Sequence, residues 1–228
     1  MIKLRKHRLF FVAIAYIVAN MTAPPSAEPA LRAWIAERVK GHDASHDMSH
    51  IDATVRHVKR IVHGWQGDEL REAAVLAALA HETCDAKYVD EPRDALSDLG
   101  IFLLPLATDE VRRLVMRVVP HISFSKRLAR DGAPPDDLRP DELLVYHAVS
   151  DADMLEAMGA TGVVRTFVYQ AVHGGADAGK AWRGAADHLA EKLVLCADFM
   201  ASRYAQQEAR VRLARMRRVI RELAEERG

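Results

Sequence analysis

Apolar residues recur at helical spacing along almost the whole chain. Ala30–Lys40 reads as a short amphipathic helix ending at Gly41. From Met48 to Val62, the residues Ile51, Val55, Val58, Ile61 and Val62 fall at the intervals of one helix face. Gly64 and Gly67 break that pattern, and Asp68 stands where it can cap the next helix. The sequence of that helix, LREAAVLAALA, is apolar on several faces, which predicts burial all round. Asp109–Val119 is a further helix, stopped at Pro120, and Asp141–Met158 another, interrupted at Gly159 and Gly162. DGAPPDDLRPD (Asp131–Asp141) reads as a surface loop. Trp182 to the C-terminus reads as one or two long helices with Arg and Glu on the outer face. No alternating pattern long enough for a central strand occurs, nor any internal repeat, so the expected class is all-α.

The N-terminus poses a separate question. Basic MIKLRKHR precedes the 11-residue apolar run Leu9–Ala19, a signal-like pattern too short for an ordinary membrane span. Val18-Ala19-Asn20 offers a poor cleavage site, and Met21 offers a second start with an ordinary cytosolic continuation. Three readings stand, in order of preference: an upstream false start, a secretory signal, a short membrane-associated anchor. We therefore expect residues 1–29 to be an extension and linker and 30–228 a single helical domain. The expected location is the cytoplasm, or a secretory or membrane-associated one if Leu9–Ala19 is genuine.

At roughly 150 residues per domain, 228 residues suffice for one domain with additional helices. Apolar residues make up 50% and charged residues 28%, a globular composition. Lys+Arg and Asp+Glu balance at 32 each, which argues against a nucleic-acid polymer as partner. Cys84 and Cys196 form no CxxC pair, so thiolate zinc fingers are excluded. Histidine is the departure: 11 residues, five of them between His42 and His63.

Four places bring imidazoles and carboxylates together. SHDMSHIDATV carries His46, Asp47 and His50, with His46 and His50 four apart and so on one face if the helix already runs there. LAALAHETCDAKY ends an apolar helix with His81 and Glu82, and Asp85 lies one turn beyond His81. VPHISFSK holds His121 and Lys126; VSDADMLEAMGATGVVRTF holds Asp151 and Asp153, with His147 four before Asp151. Mixed nitrogen and oxygen donors suit Mn, Fe, Ni, Zn or Mg rather than a soft thiolate metal.

In this order the segments resemble the HD-domain metal-dependent phosphohydrolase superfamily, nearest the compact stand-alone bacterial HD hydrolases. Those run HDxxHxxxV, LAALLHDxxDxK, a HSF segment and DADRLDAxGAxGxxRTF. This chain reads HDMSHIDATV from His46, LAALAHETCDAK from Leu76, HISFSK from His121 and DADMLEAMGATGVVRTF from Asp151. DHLAEKLVLCADFM resembles the closing helix, and the likeness covers roughly Gly41 to Leu223. The resemblance implies a compact helical HD bundle with a long C-terminal helix. It implies one divalent cation (Mn, Ni, Mg, Fe or Zn) held by His50, His81, Glu82 and Asp151. The chain departs from the pattern at Glu82, where the family has Asp, at Met154 for Arg, and at Glu156 for Asp.

The implied activity is hydrolysis of a phosphate ester or phosphoanhydride, with a nucleotide as the expected small-molecule substrate. Asp85 is the candidate for orienting or deprotonating the attacking water, and His121 for donating to the phosphate or leaving oxygen. His46 and Asp47 are expected beside the metal, and Lys87, Lys126, Arg165 and Lys192 are the candidate phosphate cations. His42, His57, His63 and His173 are read as solvent-facing or capping, and Cys84 as a buried filler. Two other classes compete. A non-catalytic HD domain that senses a nucleotide or metal is favoured by Glu82. A helical interaction protein built on the helix from about Ala201 competes with packing of that helix on its own domain.

Overall fold

The computed structural model describes residues 26–43, 46–85, 89–173 and 178–226. The Leu9–Ala19 run, the Met21 start and Lys87 lie outside the described residues. Ten α-helices and no strand are found among those described. They are α1 Ala27–Arg38, α2 Met48–Ile61, α3 Asp68–Ala80, α4 Pro92–Leu103 and α5 Asp109–Val118, followed by α6 Phe124–Leu128, α7 Pro140–Glu156, α8 Gly159–His173, α9 Ala178–Glu191 and α10 Arg203–Glu225.

Helix α3 is the hub. Every residue from Ala73 to Ala80 is buried, and its small side chains let α1, α2, α5 and α7 close around it. Its N-cap is Gly67, at φ 91°, and not the expected Asp68, which is the first residue inside the helix. Glycine adopts that positive φ without the Cβ clash an L side chain meets. Helix α2 is amphipathic and buries His50, Ile51, Val55 and Val58 against α3 and α7.

Two clusters of buried side chains result. The first gathers α1 to α5 and the beginning of α7, through Ala152. The second gathers Met154, Leu155 and Met158 with α8, α9, the 3-10 turn Leu193–Phe199 and α10. Helix α7 runs from one into the other, and Asp153 falls at the join. Ala205, Ala209 and Met216 bury α10 in the second cluster, so this helix packs on its own chain.

The expected helices form within a few residues of their predicted ends, and α4, α6 and α8 appear where none was expected. Gly159 separates α7 from α8 as anticipated, but Gly162 lies inside α8. A Cβ there would stand 2.2 Å from the Ala157 carbonyl oxygen, so only glycine admits this approach of the two helices. No described helix is long and apolar enough to cross a membrane.

Candidate metal centre

His50 sits in the first turn of α2. Asp47 caps that turn, accepting hydrogen bonds from the backbone N–H of Ser49 at 2.9 Å and of His50 at 3.3 Å. His81 and Glu82 open a wholly buried 3-10 turn, His81–Cys84, that continues α3. The His81 Nδ1–H donates to the Ala78 carbonyl at 2.7 Å, which leaves the Nε2 lone pair facing inward. On its other side His50 Nδ1 accepts from Arg165 Nη1 at 2.8 Å.

Four donors converge from these elements. His50 Nε2 lies 3.1 Å from His81 Nε2, 3.3 Å from Glu82 Oε1 and 3.4 Å from Asp153 Oδ1. His81 Nε2 lies 3.4 Å from Glu82 Oε1 and 3.8 Å from Asp153 Oδ1. Ligands bonded to one ion at about 2.0–2.2 Å stand roughly 3.0–3.6 Å apart when adjacent in its shell. Two imidazoles and the Asp153 carboxylate, their donor atoms all within 4.8 Å of one another, form a group among the described residues that fits a divalent cation of the borderline-to-hard type, and Glu82 Oε1 stands beside the two histidines.

The electrostatics agree. Burial works against a charged His81, but the Glu82 carboxylate beside it, with Asp153 behind, lifts its pKa to about 9. Burial likewise opposes charge on Glu82 and Asp153, and the two imidazoles outweigh it and hold both carboxyls below their usual range. This pocket of negative charge holds a proton tightly in the absence of a cation.

The carboxylate that joins the histidines is Asp153, in place of the expected Asp151. Asp151 is fully buried, and its carboxylate accepts the backbone N–H of Ala201 at 3.0 Å and of Ser202 at 2.6 Å. Burial pushes its pKa up, with those amides opposing. Residues two apart on a helix point about 200° apart, so both aspartates cannot face one centre. Asp153 continues the buried stripe Val145, Val149, Ala152, whereas Asp151 lies one turn above His147.

A cleft lined by His81, Glu82, Asp85, Asp153, Arg165 and Tyr169, among others, opens onto the cluster. His46 and His188 also line it. Met154, where the family pattern has Arg, lines it as a buried apolar side chain. His121 does not: its Nε2 is 3.8 Å from Asp137 Oδ1, and burial lowers its pKa. Lys126 is exposed and donates to the Pro120 carbonyl at 2.6 Å. Lys192 is exposed at the foot of α9, and its neighbour Leu193 lines the cleft. Cys84 is buried, with its thiol pushed up to about 11, which suits a filler rather than a nucleophile.

His57, expected at the surface, is buried. Its Nδ1 is 2.8 Å from the Tyr204 hydroxyl and its Nε2 3.0 Å from Glu156 Oε1. Sequence reasoning passed over this pair, together with Arg212, which donates to Glu156 at 3.2 Å. Position 57 lies a helical turn before Ile61 and beside Val58 on the buried face of α2, and that pattern was the available signal.

No protein-family model matches the chain. It is 25% identical to the uncharacterized protein YpgQ of Bacillus subtilis, over 85% of this chain and 90% of that one. Among solved structures it is similar to YpgQ of Bacillus subtilis in complex with ADP, with a TM-score of 0.68 at 24% identity, covering 87% of this chain and 97% of that one. A protein from Lactobacillus plantarum gives 0.68 at 23% identity, covering 88% and 96%. An HD-superfamily hydrolase from Bacillus thuringiensis gives 0.64 at 22% identity, covering 87% and 95%. The chain therefore has the helical fold of the HD superfamily, as its motifs led us to expect.

Proposed function

We propose that the protein is a divalent-metal-dependent phosphohydrolase acting on a phosphate ester or phosphoanhydride, with a nucleotide as substrate. The observation that carries this reading is the convergence of His50, His81 and Asp153, their donor atoms 3.1–3.8 Å apart, with Glu82 Oε1 at 3.3–3.4 Å from both histidines, beside a cleft lined by His81, Glu82 and Asp153. The complex of YpgQ with ADP supports the nucleotide part. The additional methylene of Glu82 does not take its carboxylate away from the histidines, which favours a working site over a degenerate one.

His50, His81, Glu82 and Asp153 would hold the cation. When bound, it supplies a water of lowered pKa and withdraws charge from a phosphoryl oxygen. Asp85, on the cleft wall, takes the proton of the attacking water. Arg165 has donors only, so while it bonds His50 Nδ1 the proton of a neutral His50 sits on Nε2, among the ligand atoms. For Nε2 to serve as a ligand that proton would have to sit on Nδ1, and Arg165 would then be free to turn to the substrate phosphate from the cleft side. His46 stands nearby for a phosphate oxygen. Tyr169, Phe124, Ile122 and Leu193 give the cleft an apolar wall for the base. Lys126 and Lys192 are the further cations of this reading, set back at the rim.

The test is a nucleotide panel on chelator-stripped protein, with and without Mn²⁺, alongside His81→Ala. Metal-dependent release of phosphate or pyrophosphate that His81→Ala lacks is the expected result. Metal binding by folded protein without any turnover would refute the hydrolase and favour the sensor.

A further inference from the structure

A second pocket, of about 450 Å³, opens on the far side of His50 from the cluster. Helix α2 contributes Arg56 and Arg60 to it, α8 contributes Arg165, and α10 contributes Arg212. The acidic groups that face these four guanidiniums are Asp47, whose charge acts on Arg165; Glu156, whose Oε1 accepts from Arg212 Nη1 at 3.2 Å; and Glu208, which accepts from Arg212 Nε at 3.0 Å. Both glutamates are thus bonded to one arginine. Arg60 is held by a neutral group, donating to the Tyr204 hydroxyl at 3.1 Å, with the charge of Glu208 further off. Arg56 is exposed and enters no ion pair among the described residues. Thr161 adds a hydroxyl, whereas that of Ser49 already donates to Asp47 Oδ1 at 2.6 Å.

Four guanidiniums against three carboxylates, with Arg56 and Arg60 bonded to none of the three, leave a positive concavity whose donors are in part already oriented. Guanidinium presents its N–H groups as a flat fork that matches phosphate oxygens two at a time. A single carboxylate would leave most of these donors unused, and 450 Å³ is within the range of small-molecule sites. Nothing in the reaction read from the cleft uses Arg56, Arg60 or Arg212.

We propose that this pocket is a second anion site that takes a diphosphate group, free or borne by a nucleotide. It does not depend on whether the cleft hydrolyses anything. Arg165 and His50 line this pocket, and Arg165 lines the cleft as well, so the two sites share a wall.

The experiment is calorimetric titration of inorganic pyrophosphate into full-length, chelator-stripped protein at fixed ionic strength, which removes hydrolysis and metal from the readout. Arg56→Gln/Arg60→Gln tests the pocket and Lys126→Gln/Lys192→Gln the rim of the cleft; circular dichroism checks the fold of each. Binding weakened tenfold or more by the arginine pair, and less than twofold by the lysine pair, is expected. No binding by the unaltered protein, equal weakening by both pairs, or weakening by the lysine pair alone overturns the proposal. ADP run in parallel identifies the source: affinity at or above that of pyrophosphate assigns a nucleotide-borne diphosphate, lower affinity a free one. Loss of ADP binding only in the lysine pair would refute the nucleotide-borne form.

Discussion

Replacing Asp151 by alanine should cost the chain stability and leave its cation, and replacing Asp153 should do the reverse. The Asp151 carboxylate, fully buried, receives the amides of Ala201 at 3.0 Å and Ser202 at 2.6 Å, fixing the turn that leads into α10. Hydrogen bonds to a charged acceptor contribute about 1.5–3 kcal/mol each, and the cost of burying the carboxylate offsets part of that. The net loss in Asp151→Ala is thus roughly 2–4 kcal/mol. In a chain of this size each kcal/mol moves Tm by about 2–4 °C, which gives a fall of about 5–15 °C. Asp153 bonds no backbone amide among the described residues; it faces His50 at 3.4 Å and His81 at 3.8 Å. Asp153→Ala in chelator should melt within about 1 kcal/mol of the parent, yet bind Mn²⁺ at least about 100-fold more weakly, in line with removal of a ligand group. Thermal melts in chelator and competition against a metal-binding dye at 15 °C supply both numbers. If Asp151→Ala melted like the parent and lost metal while Asp153→Ala retained it, the assignment of the two aspartates would be refuted.

Three further outcomes follow from the same geometry. His81 carries a pKa raised to about 9 in the metal-free fold, so its contribution is present in full below its ordinary 6.5 and is lost as pH rises through 9; urea melts in chelator should show on the order of 3 kcal/mol less stability at pH 9.5 than at pH 6, and equal or greater stability would contradict it. Asp85→Asn should lower turnover by about 10²–10⁴ with metal affinity unchanged, measured by steady-state kinetics beside dye competition; unaltered turnover would remove Asp85 from the mechanism. Gly162→Ala places a Cβ 2.2 Å from the Ala157 carbonyl, and α8 must shift to admit it, at roughly 1–3 kcal/mol; a melt coincident with that of the parent would show that the contact relaxes freely.

The all-helical class and the central position of α3 were legible because AAVLAALA, rich in Ala and Leu rather than β-branched residues, is apolar on several faces of a helix and so is buried all round. The meeting of His50, His81 and Glu82 was legible through the resemblance of HDMSHIDATV and LAALAHETCDAK to the family's motifs, since position at a helix end singles out neither segment. What the motif left unresolved was the choice between Asp151 and Asp153. Two candidates in DAD differ only in phase, and the phase of α7 is set by what packs against it: Val145 and Val149 toward α3, the turn at Ala201 on the other side. His57 was misplaced for a related reason. Its partners Tyr204, Glu156 and Arg212 come from sequence about 100 to 155 residues away, and no local pattern announces a polar group whose bonding is completed by a distant helix. Helix α8 went unrecognised because two glycines at its start signal a break, yet one of them serves helix contact.

Helix α7, threaded through both buried clusters, also sets the order in which this protein can become competent. His50 and His81 come from the first half of the chain and are in place once α2 and α3 pair, a contact close in sequence. Asp153 is aimed only when α7 has its final rotation, and that rotation is set by the packing of α7 in both buried clusters, the second of which includes the C-terminal helix. Contacts of such long sequence separation form late, after the entropy of closing the loop has been met. During synthesis the ribosome must release nearly the whole polypeptide before the full donor set exists. A cation arriving earlier meets two imidazoles and a glutamate, a weak and unselective trap. On the function proposed above, metal acquisition would be a closing step of folding, and a chain truncated ahead of α10 would lack the packing that brings Asp153 to the two histidines.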